Sequence, residues 1–141
     1  MPSSSSLVVQ TPSLSLRGCR LLIESALALA HERGLRITVA VTDPAGALLA
    51  FQRMDGAAPV TADVAIGKAR TASLLRAPSK LFEDMINDGQ TAMLSAPGLV
   101  PLQGGEPVLL EGQVCGAVGI SGSAGETDQK LAADVAATFR T

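Results

Sequence analysis

The sequence predicts an α+β domain built on an antiparallel sheet, and three observations carry that prediction. Ile37, Val39 and Val41 alternate with Thr38, Ala40 and Thr42, the period-two pattern of a strand with two distinct faces. Asp43-Pro44-Ala45-Gly46 supplies turn chemistry, and Leu48 to Phe51 then runs back, so the pair reads as a β-hairpin. Near the C-terminus, Pro107 to Leu110, a Glu111-Gly112 turn and Gln113 to Ser121 repeat the arrangement. Strands joined by turns this tight are antiparallel neighbours.

The remaining elements follow in chain order. Met1-Pro2 and the serines Ser3 to Ser6 have neither a basic start nor an apolar core, so they do not read as a signal peptide. Residues 1–13 are expected to be a flexible tail, and 14–141 a single domain. Ser15 caps a helix from Leu16 to about Arg33, with Leu16, Cys19, Ile23, Ala26, Leu27 and Ala30 on one face and Gly34 as its stop. The first hairpin ends at Met54. A second helix spans about Thr61 to Arg76, and Pro78 prevents its continuation. Ser79 caps a short helix through Asn87, which Gly89 ends. Thr91 to Ser95 is expected as a further strand, and 96–105 as a Gly/Pro loop. The last helix runs from Thr127 to Phe139, with Asp128 in its first turn facing the positive end of the helix dipole.

Composition removes several function classes. With 141 residues and a net charge of −2, the chain has no basic field for nucleic acid or an anionic membrane. It has no Trp or Tyr and three Phe, so stacking on bases has little to work with. No apolar run reaches the ~18 residues that a membrane span requires. Cys19 and Cys115 read as small buried hydrophobes in a reducing compartment, which points to the cytoplasm. A mean hydropathy of +0.33 is apolar for a monomer, and a homo-oligomeric interface would hide the surplus.

Lys68 is the most informative side chain. It shares a helix stripe with Val64, Thr71 and Leu75, which sets an ammonium at a core edge or a pocket mouth. There it can meet a ligand carboxylate, act as a base or amine nucleophile, or form a structural ion pair with Asp43 or Asp55. Arg53, at the end of the second strand, can grip a carboxylate bidentately or pair internally with Asp55 or Asp63. Asp43 reads as a turn residue and, were the protein an enzyme, as a second general base beside Lys68. His31, the single histidine, sits in the last turn of the first helix, where it suits the helix dipole and could also ligate a haem iron. One histidine and two scattered cysteines do not make a zinc site. Gly116, Gly119, Gly122 and Gly125 recur every third residue; they either allow close packing or open an anion nest of backbone N–H groups from Ser121 to Thr127 at a helix N-terminus.

Four stretches together resemble the GlcG/HbpS family of haem-binding-type domains, which includes the C-terminal domain of some PduO-type proteins. They are Val41-Thr42-Asp43-Pro44-Ala45-Gly46, Phe51-Gln52-Arg53-Met54-Asp55-Gly56-Ala57, Lys68-Ala69-Arg70-Thr71-Ala72 and Gly116-Ala117-Val118-Gly119-Ile120-Ser121-Gly122. The resemblance implies a profilin-like three-layer α/β/α fold with a five-stranded antiparallel sheet. It also implies a pocket between the hairpin, the Lys68 helix and the glycine-rich last strand. Haem, another tetrapyrrole or a smaller carboxylated molecule would bind there through Arg53, Lys68, Gly105, Ser121 and Gly122, with haem as the candidate cofactor. PduO-like members are expected to carry an axial histidine just after the lysine helix; here that stretch reads Ala77-Pro78-Ser79-Lys80. The alternative is a cofactor-free isomerase, lyase or cyclase, with Lys68 or Asp43 as general base and Arg53 plus backbone amides stabilising an oxyanion.

Overall fold

The computed structural model describes residues 6–139. Residues 1–5 of the expected tail lie outside that range. Where the tail meets the domain, Leu14 is buried and its N–H donates to the Cys115 carbonyl at 2.9 Å. The elements are α1 (Leu16–Glu32), β1 (Thr38–Thr42), β2 (Leu48–Arg53), α2 (Val60–Leu75), α3 (Lys80–Asn87), a 3-10 turn (Thr91–Ser95), β3 (Gly105–Leu110), β4 (Gln113–Ser121) and α4 (Gly125–Ala137). The strands form one antiparallel sheet in the order β2-β1-β4-β3.

Among the described residues the sheet therefore has four strands, not five. The missing strand is the one expected at Thr91–Ser95. That segment closes on itself: the Ser95 hydroxyl donates to the Ala92 carbonyl and the Ala96 N–H to Met93. None of its side chains is buried, so no sheet edge stabilises an extended form.

The two faces of β1 carry different cores. Val39 and Val41 join a large cluster with Leu22, Ile23 and Ala26 of α1 and Leu131 and Val135 of α4. Ala40 faces the other way, against Ala65 and Ala69 of α2. Three layers result, with α1 and α4 on one side of the sheet and α2 on the other. The threonines of β1 bury their hydroxyls by bonding across to the α2 side, Thr38 to Thr61 at 2.8 Å and Thr42 to Ser73 at 2.9 Å. Arg70 of α2 and Arg76, the residue just after it, also reach the first hairpin, donating to the carbonyls of Gly46 and Pro44.

How closely α2 approaches is set by a row of small residues across the sheet. Ala40, Gly119 and Gly105 are in register on β1, β4 and β3. A Cβ on Gly119 would fall on the Ala65 carbonyl oxygen, and one on Gly105 on the Lys68 carbonyl. The glycines are there because the helix backbone occupies the space of a side chain. Ser79 completes the junction. Rather than capping α3 with its side chain, it accepts the Gly105 N–H at 2.8 Å and donates to the Leu102 carbonyl at 2.7 Å.

Gly119→Ala is expected to destabilise the protein by about 3 kcal/mol, because the clash is with main chain that cannot rotate away. Urea unfolding measures it; a loss below about 1 kcal/mol would mean that α2 is not held against β4 at this row.

Candidate functional site

Lys68 lies in the middle of α2, and its side chain passes Gly104 toward the end of β4. The passage is open because residue 104 has no side chain: a Cβ there would stand 2.8 Å from the Lys68 ammonium nitrogen. Lys68 Nζ donates to the Ile120 carbonyl at 2.9 Å and to Asp128 Oδ2 at 3.1 Å. Lys68 is 3% exposed and Asp128 2%. The ion pair expected with Asp43 or Asp55 is thus made with Asp128, on a helix from the opposite layer of the fold. Asp128 Oδ1 accepts the Ser123 N–H at 3.0 Å. The anion expected in the backbone nest near Gly122 is therefore the protein's own carboxylate. Burial pushes the Asp128 carboxyl above its usual range, while the Lys68 ammonium and the N–H groups of Ser123 and Gly122 pull it back.

Other predicted site residues also have structural duties. Asp43 Oδ1 accepts the N–H groups of Ala45 and Ala47, both at 2.9 Å, so its carboxylate closes the hairpin turn. Gly105 underlies α2. Ser121 pairs with Thr38 in the sheet and is 7% exposed. A Cβ on Gly122 would strike the Arg36 carbonyl. At Lys68, Gly105 and Gly122 the space expected for a ligand is occupied by the protein's own groups. Lys68 is thus enclosed, while Asp43 stays half-exposed with one carboxylate oxygen committed to its turn. Cys19 and Cys115 are free and buried, and burial raises both thiols above their ordinary range.

Arg53 is placed differently. It ends edge strand β2, is exposed, and lines an open depression of about 400 Å³ at the C-terminal end of α1. Leu27, His31, Arg36, Met54 and Asp55 share that depression. Its base is fixed by the Met54 N–H donating to the Ile37 carbonyl at 3.0 Å. The predicted acid partners of Arg53, Asp55 and Asp63, form no ion pair with it. Sequence reasoning found His31 and Arg53 separately but did not single out Arg36. Its position two residues before Thr38, which pairs with Arg53 across the hairpin, was the available signal. Among the described residues, no group of three or more His, Cys, Asp or Glu could hold a metal ion, and no helix is long and apolar enough to cross a membrane.

A four-stranded antiparallel sheet between one helix layer of α1 and α4 and another of α2, with its lysine sealed inside, defines the class structurally. Residues 14–137 match the family described as "Haem degrading protein HbpS-like". The chain belongs to this HbpS-like family. It is 47% identical over 92 residues to Protein GlcG of Escherichia coli, a span covering 65% of this chain and 69% of that protein. A double mutant of HbpS from Streptomyces reticuli superposes with a TM-score of 0.87 at 29% identity, covering 100% of this chain and 97% of the other. The haem complex of PduOC superposes with a TM-score of 0.81 at 25% identity, covering 91% and 96%.

Removing Lys68 leaves Asp128 charged in a dry site. Lys68→Met is expected to cost about 3 kcal/mol near pH 7. Without the ammonium, the folded-state value of Asp128 rises further above its unfolded value near 3.8. A carboxyl with a raised folded value loses stability as pH climbs from the unfolded value through the folded one. The deficit of Lys68→Met relative to the native protein should therefore be smaller at pH 4 than at pH 7, and Lys68→Met/Asp128→Leu should recover much of it. Chemical denaturation at the two pH values measures this; an equal deficit at both would exclude ionised Asp128 as its cause.

Proposed function

We propose that this chain is a small-molecule-binding domain that takes haem or another carboxylated ligand. The observation that carries this reading is the exposed guanidinium of Arg53 beside His31 in the depression at the end of α1. Family membership and the haem-bound state of the PduOC neighbour support it.

The accessible residues fit haem by donor type. His31 offers an imidazole beside the guanidinium of Arg53, while the Met54 sulfur already accepts the Ile37 N–H at 3.5 Å. His31 would hold the iron, Arg53 a propionate, and Leu27 the apolar macrocycle. Bound haem would supply an iron centre capable of redox chemistry. The protein's own part is to orient the ligand and cover one face of it. We further propose that the domain works as a homo-oligomer in the cytoplasm. Leu48, Leu49 and Phe51 are 40–48% exposed along edge strand β2, and both cysteines are free.

Titrating purified protein with haemin and following the Soret band tests the proposal. Saturation at one haemin per subunit is expected. With His31→Ala, the Soret maximum of the bound form should move, because the iron loses its imidazole. Absence of saturable binding by haemin and by simple dicarboxylates would overturn the reading.

A further inference from the structure

We propose that Arg36 is a second carboxylate receptor, so that the depression at the end of α1 recognises a ligand with two carboxylates on an apolar body. This rests on the ligand-binding reading above and names the site and the chemical class.

Arg36 and Arg53 line the same depression from different elements, Arg36 from the segment before β1 and Arg53 from the end of β2. Neither side chain makes a hydrogen bond or ion pair with another described residue. Arg33 is bonded to Asp134, Arg70 to the Gly46 carbonyl and Arg76 to the Pro44 carbonyl; Arg17 and Arg20 of α1 are exposed like Arg36 and Arg53 but do not share this depression. Asp55 is the one acid lining the depression, so its formal charge is positive before His31 is counted.

The turn after β2 helps to place Arg36. Gly56 has a φ of +87°, and a Cβ there would lie 3.6 to 3.8 Å from Cδ, Nε and Cγ of Arg36. The side-chain stem thus runs along the turn backbone, which limits the rotamer freedom that binding would otherwise remove. Leu27 and Met54 give the site an apolar part, and two planar guanidiniums suit bidentate recognition of two carboxylates. A tetrapyrrole with two propionates and a smaller dicarboxylic acid both have this chemistry.

The test uses the full chain with metal-free protoporphyrin IX, its dimethyl ester and succinate as probes, and circular dichroism to verify that each variant is folded. Arg36→Met and Arg53→Met should each weaken protoporphyrin binding roughly tenfold, as expected for a lost charge-assisted pair. Capping both carboxylates in the ester should weaken native binding to a similar or greater degree, and Arg36→Met should then add nothing. Saturable succinate binding that Arg36→Met also weakens would support the smaller acid as a source of the same chemistry. Haemin binding to the native protein, with protoporphyrin affinity unchanged in both arginine variants, would overturn this site and leave the ligand-binding reading standing. No binding of haemin, protoporphyrin or succinate to the native protein would overturn both.

Discussion

The main chain of α2 rests directly on the sheet. Ala40, Gly119 and Gly105 form a floor without protruding side chains, and Ala65 and Ala69 press onto it. Packing this close leaves no slack, since interiors approach the density of organic crystals and a single methylene is felt. It also sets where Lys68 must go. Carried on the buried face of the helix, its ammonium reaches the last polar groups available, the Ile120 carbonyl and the Asp128 carboxylate at the start of α4. One side chain thereby ties together helices from the two outer layers. Gly104 leaves it room, and the Gly104 N–H is held by Gln129 Oε1 at 2.6 Å. The buried charge is costly to desolvate, but two hydrogen bonds and its ion pair offset that cost, and it ties the two helix layers together.

That constraint divides the molecule into closed and open polar groups. The residues with the most suggestive chemistry, Lys68 and Asp128, are closed and satisfied by each other. The open groups gather where α1 ends and the first hairpin returns. There His31, Arg36 and Arg53 meet solvent beside Leu27 and Met54. A ligand that must be recognised by charge finds its receptors on this surface and not under α2. The fold accounts for the location: β2 is an edge strand exposed along almost its whole length, so the side chains at its end are not consumed by packing.

Much of the architecture was legible because it is written in short-range patterns. Alternation in β1, the Asp43-Pro44-Ala45-Gly46 turn, the cap at Ser15 and the breaker at Pro78 each act within a few residues. The resemblance to the GlcG/HbpS family was also readable from four local motifs. The misreadings were of another kind. Thr91–Ser95 was expected as a strand although only Thr91 favours one, and whether a strand forms also depends on finding an edge to pair with, which is a tertiary fact. Lys68 reads from the sequence as a core-edge or pocket-mouth ammonium near Asp43 or Asp55, yet it is buried and its partner lies sixty positions away on a different layer. The glycines at every third position admitted two explanations, and the tertiary structure uses both: the Ala65 carbonyl lies over Gly119, and the N–H groups of Gly122 and Ser123 hold the Asp128 carboxylate. Arg36 was overlooked because its meaning comes from Arg53 and Gly56, brought beside it by the hairpin.

A crystal structure of the protein with metal-free protoporphyrin IX bound would test the central claim most directly. The account predicts the ligand at the end of α1, its carboxylates on Arg36 and Arg53, and the Lys68–Asp128 pair unbroken beneath α2. A ligand carboxylate on Lys68, with Asp128 released and α2 lifted from Gly119, would contradict it.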